Sequence, residues 1–394
     1  MFPRNRRLYV KLLKFTCLIL TILFLFDYFG VFLHIFEVKF EKFEYELNGN
    51  INAICYKVRK GEKPDVEPIN IAVHSYRHNN ENKCKDELQK GLVPHLLIIV
   101  KSKNDHFERR NAIRNSWGFE KRFSDVIIRT VFSLGIDQQT HNNQLSEIQK
   151  LVDIESERYK DIIQFNFIDE YYNNTLKTIH GMKWCKENCI RSKFYLFVDD
   201  DYYVSIKNIL AFLRNPVNYP EYLEAYKEQL RKLNQRKLQE IKLINGTNHT
   251  EMTNRNLLSF NIELPPNVKL FAGYVFNSRP HRHRSSKWYI PLDEYKYDRW
   301  PTYVTAGCFM LSREALQEMY CTSQYTKYFR FDDIFLGIVA LKANVEPLHS
   351  EEFYYYKAAY SGPASYRYVL ATHGYENSNE MLKVWNEVRA SGYA

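Results

Sequence analysis

Phe194-Tyr195-Leu196-Phe197-Val198-Asp199-Asp200-Asp201 is the stretch from which the fold of this chain can best be predicted. Five successive apolar or aromatic residues are typical of a buried strand. The three carboxylates that follow cannot belong to a core, because unpaired buried charges are very costly and like charges repel one another. A divalent cation would offset that repulsion, since hard cations prefer oxygen ligands. The alternative is a solvated acidic turn.

Strand-like and helix-like segments alternate around this stretch. Strands are predicted over Leu96–Val100, Val126–Leu134, Ile162–Phe167, Leu270–Phe276 and Tyr303–Ser312. Helices are predicted after Asn104, over Leu145–Tyr159, Asn174–Asn188, Arg313–Tyr320 and Met381–Arg389, and from Asp332. This alternation indicates an α/β fold with a mostly parallel central sheet flanked by helices. In such sheets ligands bind beyond the carboxyl ends of the strands, which is where the three acids lie.

The N-terminal residues predict a membrane anchor. Five cations within residues 1–14 precede an apolar segment, Phe15–Phe36, which only Asp27 and His34 interrupt. That length can span a bilayer, and positive charge on its N-terminal flank predicts a cytoplasmic tail over 1–14. A signal anchor over 15–36 with a lumenal body is favoured. A cleaved signal peptide is the alternative, although no small-x-small cleavage site follows the segment.

The remaining chain divides by composition. Residues 37–93 are charged, Asn-rich and weakly periodic, which predicts a stem, and residues 94–394 predict the lumenal domain. Within that domain, 219–267 indicates a polar surface insertion that includes a charge-rich helix over Leu223–Leu243. Glycosylation sequons begin at Asn173, Asn245 and Asn248, and six cysteines lie outside the anchor. Sequons and cysteines both fit a secretory route, but the disulfide pairing stays open.

The net charge of +9 does not indicate a nucleic-acid partner. The first 14 residues supply five of these positive charges, so the body carries a small excess. A nucleic-acid footprint needs basic clusters on the folded part, and His281-Arg282-His283-Arg284 is the one short candidate.

Five blocks in one order resemble the β-1,3-glycosyltransferases of the galactosyltransferase/N-acetylglucosaminyltransferase family that includes Fringe. The blocks are Arg110–Gly118 (R-x-x-I-R-x-T-W-G, with Ser116 for Thr), Asp169–Thr178 (D-x-Y-x-N-L-T-L-K-T), Phe197–Asp201, Trp300–Gly307 (Y-P-x-Y-x-x-G) and Phe331–Gly337 (E-D-V-x-x-G, with Asp332 for Glu). The stretches Lys287–Tyr289, Asp298–Gly307 and Phe331–Ala343 resemble the Brainiac type most. The insertion 219–267 departs from the family pattern.

The resemblance implies a GT-A-like glycosyltransferase in the Golgi membrane, single-pass and type II. It implies inverting transfer of N-acetylglucosamine from UDP-GlcNAc, in β1,3 linkage, to a glycan acceptor such as a glycosphingolipid. A β-1,3-galactosyltransferase using UDP-galactose, on glycoprotein or glycolipid acceptors, is the alternative. A lumenal glycan-binding protein without catalysis is a more distant one, against which the intact Asp201 and Asp333 argue.

Roles for individual residues follow from the same resemblance. Mn²⁺ is the implied ion, with Asp201, Asp199 and His373 as ligands and His349 as a rival to His373. Asp333 is implied as the general base that takes the acceptor proton. Donor binding is implied for Arg110, Arg114, Lys177, Asp199, Asp200, Trp300, Tyr303, Gly307 and Asp332. From the residues alone, surface charge explains the two arginines and helix capping explains one of the aspartates. A glycine within a strand, such as Gly307, often allows the close approach of a ligand or backbone.

Overall fold

A computed structural model of the chain describes residues 4–44, 50–70, 74–85, 92–141, 146–229, 231–232, 264–265 and 267–394. The strands are β1 (Tyr76–His78), β2 (Leu96–Lys101), β3 (Ile128–Ile136), β4 (Ile162–Ile168), β5 (Phe194–Asp199), β6 (Tyr203–Val204), β7 (Phe271–Phe276), β8 (Tyr303–Ser312), β9 (Pro347–His349), β10 (Phe353–Tyr354) and β11 (Ala371–Thr372). The α-helices are α1 (Arg4–Tyr28), α2 (Val31–Ile35), α3 (Ile51–Arg59), α4 (Phe107–Arg114), α5 (Gln138–His141), α6 (Glu147–Tyr159), α7 (Asn174–Asn188), α8 (Ile206–Phe212), α9 (Arg313–Gln324), α10 (Asp332–Lys342) and α11 (Ser378–Ala390). Residues 221–229 are also helical.

The large sheet has the strand order β1-β4-β3-β2-β5-β8-β7-β9. The pairs β4-β3, β3-β2, β2-β5 and β7-β9 are parallel, whereas β1-β4, β5-β8 and β8-β7 are antiparallel. The sheet is therefore mixed, and the expectation of a mostly parallel sheet is correct only for its β4-β3-β2-β5 centre. Strands β7 and β8 are joined without a crossover helix, and such a connection suits antiparallel pairing.

Alternate residues of the central strands enter two separate cores, one on each face of the sheet. On β2, Leu97 and Ile99 pack with helices α7, α9 and α10, whereas Leu96, Ile98 and Val100 pack with α4 and α11. All five side chains are fully buried. A central strand covered on both faces must be apolar throughout, which explains why β2 and β5 are continuous apolar runs.

A small sheet, β10-β11-β6, brings the C-terminal part of the chain to the end of β5. β11 pairs antiparallel with β6, with Thr372 opposite Tyr203. Just beyond this pair, the backbone N–H of Tyr375 donates to the carbonyl oxygen of Asp201 at 2.8 Å. The segment that begins at His373 is thereby fixed beside the acidic stretch.

The prediction of a stem over residues 37–93 is not confirmed by the parts of it that the structure describes. Disulfides join Cys55 to Cys321 and Cys84 to Cys189, and each fastens this segment to the body. Strand β1 adds to the edge of the large sheet, antiparallel to β4. The described parts of the segment therefore pack on the domain. The two disulfides and the pairing of β1 with β4 attach them to it, although the polar composition by itself predicts an extended chain.

One helix within the described residues is long and apolar enough to cross a membrane, and it covers Leu8–Tyr28. It starts before the predicted span 15–36 and ends at Tyr28, where Phe29 and Gly30 separate it from the short helix α2. Most of the insertion 219–267, with the sequons at Asn245 and Asn248 and the second half of the predicted helix Leu223–Leu243, lies outside the described residues.

Candidate active site

A buried lysine joins the acidic end of β5 to the start of helix α10. Lys101 lies opposite Asp199 in the parallel register of β2 and β5. Its Nζ lies 3.0 Å from Asp199 Oδ1 and 3.2 Å from Asp332 Oδ2, and it donates to the carbonyl oxygen of Ala306 at 2.7 Å. The acidic motif, β8 and the Asp332-Asp333 pair therefore meet at one edge of the sheet.

Burial and charge compete at this ammonium group. Burial tends to lower the pKa of Lys101, but Asp199 and Asp332 outweigh it and raise that pKa. Burial raises the pKa of Asp199, Lys101 opposes the rise, and the charges of Asp201 and Asp332 add to it, so that this pKa is about 7. Lys101 was not predicted to be a site residue. The available signal was a lysine that ends an otherwise apolar strand, aligned in the sheet with the acidic stretch.

Asp201 has the clearest features of a metal ligand. Its Oδ2 lies 3.3 Å from His373 Nε2, and one ligand atom each from Asp201, His373 and Glu376 lie within 4.8 Å of one another. The other oxygen, Asp201 Oδ1, is buried and has no hydrogen-bond partner among the described residues. An unsatisfied buried carboxylate oxygen is costly, and a divalent cation would satisfy it. Two carboxylates and an imidazole are a donor set that suits Mn²⁺.

The cluster of Asp201, His373 and Glu376 contains only some of the predicted metal ligands. Asp201 and His373 come together as expected, and Glu376 joins them without having been predicted. Asp199, which the resemblance placed in the metal set through the ribose or a bridging water, lies instead in an ion pair with Lys101. The rival His349 lies elsewhere, on the sheet-edge strand β9, where its Nδ1 accepts from the backbone N–H of Val275 at 3.1 Å.

Tyr202 fills the space between Gly307 and His373. A Cβ placed on Gly307 would lie 2.3 Å from the Tyr202 hydroxyl oxygen, so no larger residue fits there while this ring keeps its place. The ring also packs edge-on to His373, with ring centroids 5.2 Å apart. Gly307 was predicted to allow the approach of a ligand. The structure shows that a protein side chain approaches it, and that this side chain packs against His373.

Asp200 faces away from the other acids. Its oxygens lie 2.7 Å from His106 Nδ1 and 2.9 Å from Arg109 Nη1. Burial tends to raise the pKa of Asp200, but the hydrogen bonds from His106 and Arg109 lower it below its usual value. Asp200 therefore fixes the start of helix α4 against the sheet, and the structure gives it protein partners in place of the predicted donor contact.

Asp332 and Asp333 occupy the first turn of helix α10. Asp332 is held by Lys101, and Asp333 Oδ1 accepts from the backbone N–H of Ile334 at 2.8 Å. Burial, with a smaller contribution from the neighbouring charge of Asp332, raises the pKa of Asp333 to about 7. A carboxylate whose pKa is near neutrality is well matched to accepting a proton from an alcohol.

Arg110 and Arg114 are used inside the protein. Arg110 is fully buried, and all its guanidinium nitrogens bond to Glu155, Ser102 or the backbone of residues 103 and 104. Arg114 pairs with Asp161 at 2.8 Å and 2.9 Å and with Glu155 at 2.7 Å. No guanidinium donor of Arg110 remains for a diphosphate. The predicted donor clamp is therefore replaced by a structural ion-pair network.

Lys177, Trp300 and Tyr303 are also occupied by protein partners. Lys177 Nζ lies 2.8 Å from Asp169 Oδ1 and donates to the carbonyl oxygen of Ser102 at 2.9 Å. Trp300 is buried with its ring centroid 4.1 Å from that of Tyr295, and the Tyr303 hydroxyl lies 2.9 Å from Ser278 Oγ. The structure gives these three residues roles in packing and positioning, not the open faces that direct donor binding requires.

The sequon at Asn173 lies where helix α7 begins. The Asn173 amide donates to the carbonyl oxygen of Ile168 at 2.8 Å, and the hydroxyl of Thr175 is buried and donates to the carbonyl oxygen of Phe329 at 2.9 Å. These contacts tie the sequon into the fold, so the structure disfavours a glycan at Asn173.

Comparison with known proteins agrees with this arrangement. Residues 108–243 and 232–351 match the family described as Galactosyltransferase. The chain is 38% identical over 385 residues to beta-1,3-galactosyltransferase brn of Drosophila melanogaster, covering 98% of both chains. It is 28% identical over 323 residues to beta-1,3-galactosyltransferase 1 of Homo sapiens, covering 82% of this chain and 81% of that one. A solved galactosyltransferase, LgtC, aligns over 74% of this chain and 95% of its own with 9% identity and a TM-score of 0.33, a level that supports no inference.

The family match and the relative that is 38% identical thus show that the chain is a glycosyltransferase. The chain belongs to the galactosyltransferase family, which confirms the resemblance found in its motifs.

Proposed function

We propose that this chain is a metal-dependent, inverting β-1,3-N-acetylglucosaminyltransferase that uses UDP-GlcNAc and a glycan acceptor carried on a lipid. The observation that supports this most strongly is the position of Lys101 between Asp199 and Asp332. It joins the acidic, metal-binding side of the site to the helix that carries Asp333. A donor site and a base on one sheet edge are what a direct transfer between two substrates requires.

The residues of the chain divide the chemistry between them. Asp201, His373 and Glu376 would hold Mn²⁺, which when bound neutralises the charge that develops on the departing diphosphate. Lys101 keeps Asp332 and Asp199 oriented. Asp333, ionised above about pH 7, accepts the proton of the acceptor hydroxyl as that oxygen attacks the anomeric carbon. Attack from the face opposite the diphosphate inverts the configuration and yields a β-linked product.

The alternative donor is UDP-galactose, and one observation favours it. The relatives reported above are named as beta-1,3-galactosyltransferases. The motifs that resemble the Brainiac type favour N-acetylglucosamine instead. A type II position in the Golgi membrane is part of the same proposal, and the apolar helix Leu8–Tyr28 supports an anchor.

A donor-by-acceptor activity matrix tests the proposal. The purified full chain is incubated with UDP-GlcNAc or UDP-galactose, with defined glycolipids and free oligosaccharides, and with Mn²⁺ or a chelator. We expect a β1,3-linked N-acetylglucosaminyl product that disappears with the chelator and returns with Mn²⁺. A galactosyl product alone would move the assignment to the second donor. Full activity in the chelator would remove the metal from the mechanism, and no transfer at all would favour a non-catalytic glycan-binding protein.

A further inference from the structure

The apolar helix is joined to the body of the protein by a short, ordered connection. Gly30 has a positive φ of 74°, and a Cβ there would lie 2.4 Å from the carbonyl oxygen of Arg282. The backbone N–H of Arg284 donates to the carbonyl oxygen of Tyr28 at 3.0 Å, and the Arg284 side chain lies 3.0 Å from Asp27. The end of helix α1 is therefore packed directly against the 281–284 segment.

The chain that follows remains attached. Arg282 is fully buried, and its Nε pairs with Glu37 Oε1 at 2.8 Å. Val38 exchanges backbone hydrogen bonds with residues 296 and 298, and the backbone N–H of Phe40 donates to Asp298 Oδ1 at 2.8 Å. Breaking a buried ion pair of this kind is strongly destabilising, because it leaves an uncompensated buried charge. The body therefore cannot swing freely about the anchor.

Several large apolar side chains around this junction face solvent. Phe29 is 56% exposed, Val31 is 43% exposed, and Ile35 and Phe36 are each 70% exposed. Trp288, in the loop that carries Arg282, is 50% exposed, whereas the other four tryptophans of the chain are buried. Clustered exposed apolar groups mark an interaction surface, and tryptophan is enriched where a bilayer meets water.

The charge of the same loop fits a membrane surface. Residues 277–292 contain Arg279, Arg282, Arg284 and Lys287 and no aspartate or glutamate. Arg282 and Arg284 are paired within the protein, with Glu37 and Asp27, so what suits the loop to a bilayer surface is that it brings no acidic side chain there.

We propose that residues 29–36 and the loop around Trp288, here called the interfacial patch, lie in the lumenal surface of the membrane that α1 spans. The partner is the bilayer itself, because the patch begins one residue after the membrane-spanning helix ends. The patch holds the body in a fixed orientation against the membrane.

That orientation has a consequence for the acceptor. Arg330, two residues before Asp332, donates to the carbonyl oxygen of Tyr289 and pairs with Glu294 at 2.9 Å. The Tyr303 hydroxyl lies 2.9 Å from Ser278 Oγ. The loop of the patch thus contacts the segment that leads to Asp333, and this contact connects the patch to the proposed base. This consequence rests on the proposed transferase function. A patch seated on the bilayer keeps Asp333 near acceptors whose glycan is attached to a lipid of the same membrane, and so selects them.

The patch is tested by fluorescence, independently of activity. The full chain is reconstituted in vesicles that contain lipids brominated either near the headgroup or deep in the acyl chain. We expect Trp288 emission to be quenched more strongly by the shallow bromines, and the Trp288→Phe variant to lack this quenched component. Equal emission in brominated and unbrominated vesicles would overturn the proposal.

A matched pair of variants completes the test. The double change Ile35→Glu and Phe36→Glu places two charges in the patch, and Leu151→Glu with Ile154→Glu places two charges on exposed apolar positions of helix α6, which are 53% and 62% exposed. We expect the first pair alone to lower the quenching and to reduce transfer to a lipid-linked acceptor about tenfold, with transfer to a soluble oligosaccharide unchanged. Equal loss with both pairs, or loss with neither, contradicts the patch. Absence of transfer in the unmodified protein contradicts the proposed function and leaves the fluorescence result intact.

Discussion

The acidic motif Asp199–Asp201 and the basic motif Arg110–Arg114 are equally conspicuous in the sequence, and both were predicted to bind the donor. In the structure they differ in how completely their charges are satisfied. All guanidinium nitrogens of Arg110 have protein partners, whereas Asp201 keeps a buried oxygen without a partner among the described residues. Among the buried side-chain atoms of the described residues that have no partner, Asp201 Oδ1 is the one carboxylate oxygen, and it lies beside His373 and Glu376. A charged oxygen in that setting is the stronger candidate for a ligand site.

The largest effect is expected from Asp201→Asn. The substitution keeps the size of the side chain but weakens coordination of a cation, so we expect transfer to fall by roughly a thousandfold, the scale of several kcal/mol. The melting temperature without metal should change little, because the asparagine oxygen can still accept from His373 and Asp201 Oδ1 has no partner to lose. Activity is measured across a Mn²⁺ titration. A Mn²⁺ dependence equal to that of the unmodified protein would remove Asp201 from the metal site.

Asp333→Asn should lower the rate by about a hundredfold to a thousandfold, the usual contribution of a general base. Asparagine still offers an oxygen to the backbone N–H of Ile334, so binding of UDP and Mn²⁺ should be retained, as calorimetry can measure. Near-complete turnover by this variant would exclude Asp333 as the base.

The pH dependence sharpens the same assignment. Because burial raises the pKa of Asp333 to about 7, the ionised base accumulates only above that pH, and the rate of the unmodified enzyme should rise through pH 7 to a plateau. The raised pKa also means that Asp333 costs stability as pH rises from its ordinary value of 3.8 through 7. Asp333→Asn should therefore melt at a higher temperature than the unmodified protein at pH 8 and show little difference at pH 4. The reverse order of melting temperatures would contradict the buried-carboxylate explanation.

On the other side of the comparison, Arg110→Met should affect stability and not donor affinity. Removing one partner of a buried ion pair leaves Glu155 partly uncompensated, and we expect a loss of about 3 kcal/mol in the free energy of unfolding. Where the variant is folded, its KM for the donor should be unchanged. Adding Glu155→Leu should recover part of the stability, since apolar replacement of a buried pair is often neutral. A raised KM with an unchanged melting temperature would restore the donor-clamp hypothesis.

The smallest effect on activity is expected from substitutions of the two candidate metal-binding histidines, His373 and His349, and it distinguishes between them. His373→Ala should raise the Mn²⁺ concentration needed for half-maximal activity about tenfold to a hundredfold, a scale known for changes around metal sites. His349→Ala should change it less than about twofold, because His349 contacts β7 and is not in the ligand group of Asp201. Equal shifts for the two variants would contradict the assignment of His373.

Much of the fold could be predicted from hydrophobic pattern alone. The β4-β3-β2-β5 centre, its helices and the placement of Asp199–Asp201 at the end of β5 follow from apolar runs that alternate with amphipathic segments. The antiparallel strands β7 and β8 were located but not oriented, because strand direction depends on the path of the connecting loop. The contacts that the described parts of residues 37–93 make with the body were not predicted, since two disulfides and a short edge strand leave little trace in a polar segment.

The sequence by itself determined which residue types the site contains: the acids of β5, the Asp332-Asp333 pair and a late histidine. Only the tertiary structure decided which of them act together. Lys101 links the two acidic groups because it lies opposite Asp199 in the sheet register. Arg110 is not available for the predicted donor binding because it forms an ion pair with Glu155. Motifs determine which functional groups are present at each position of the chain. Whether a charged group is paired within the protein or is available to a ligand depends on contacts between residues far apart in sequence.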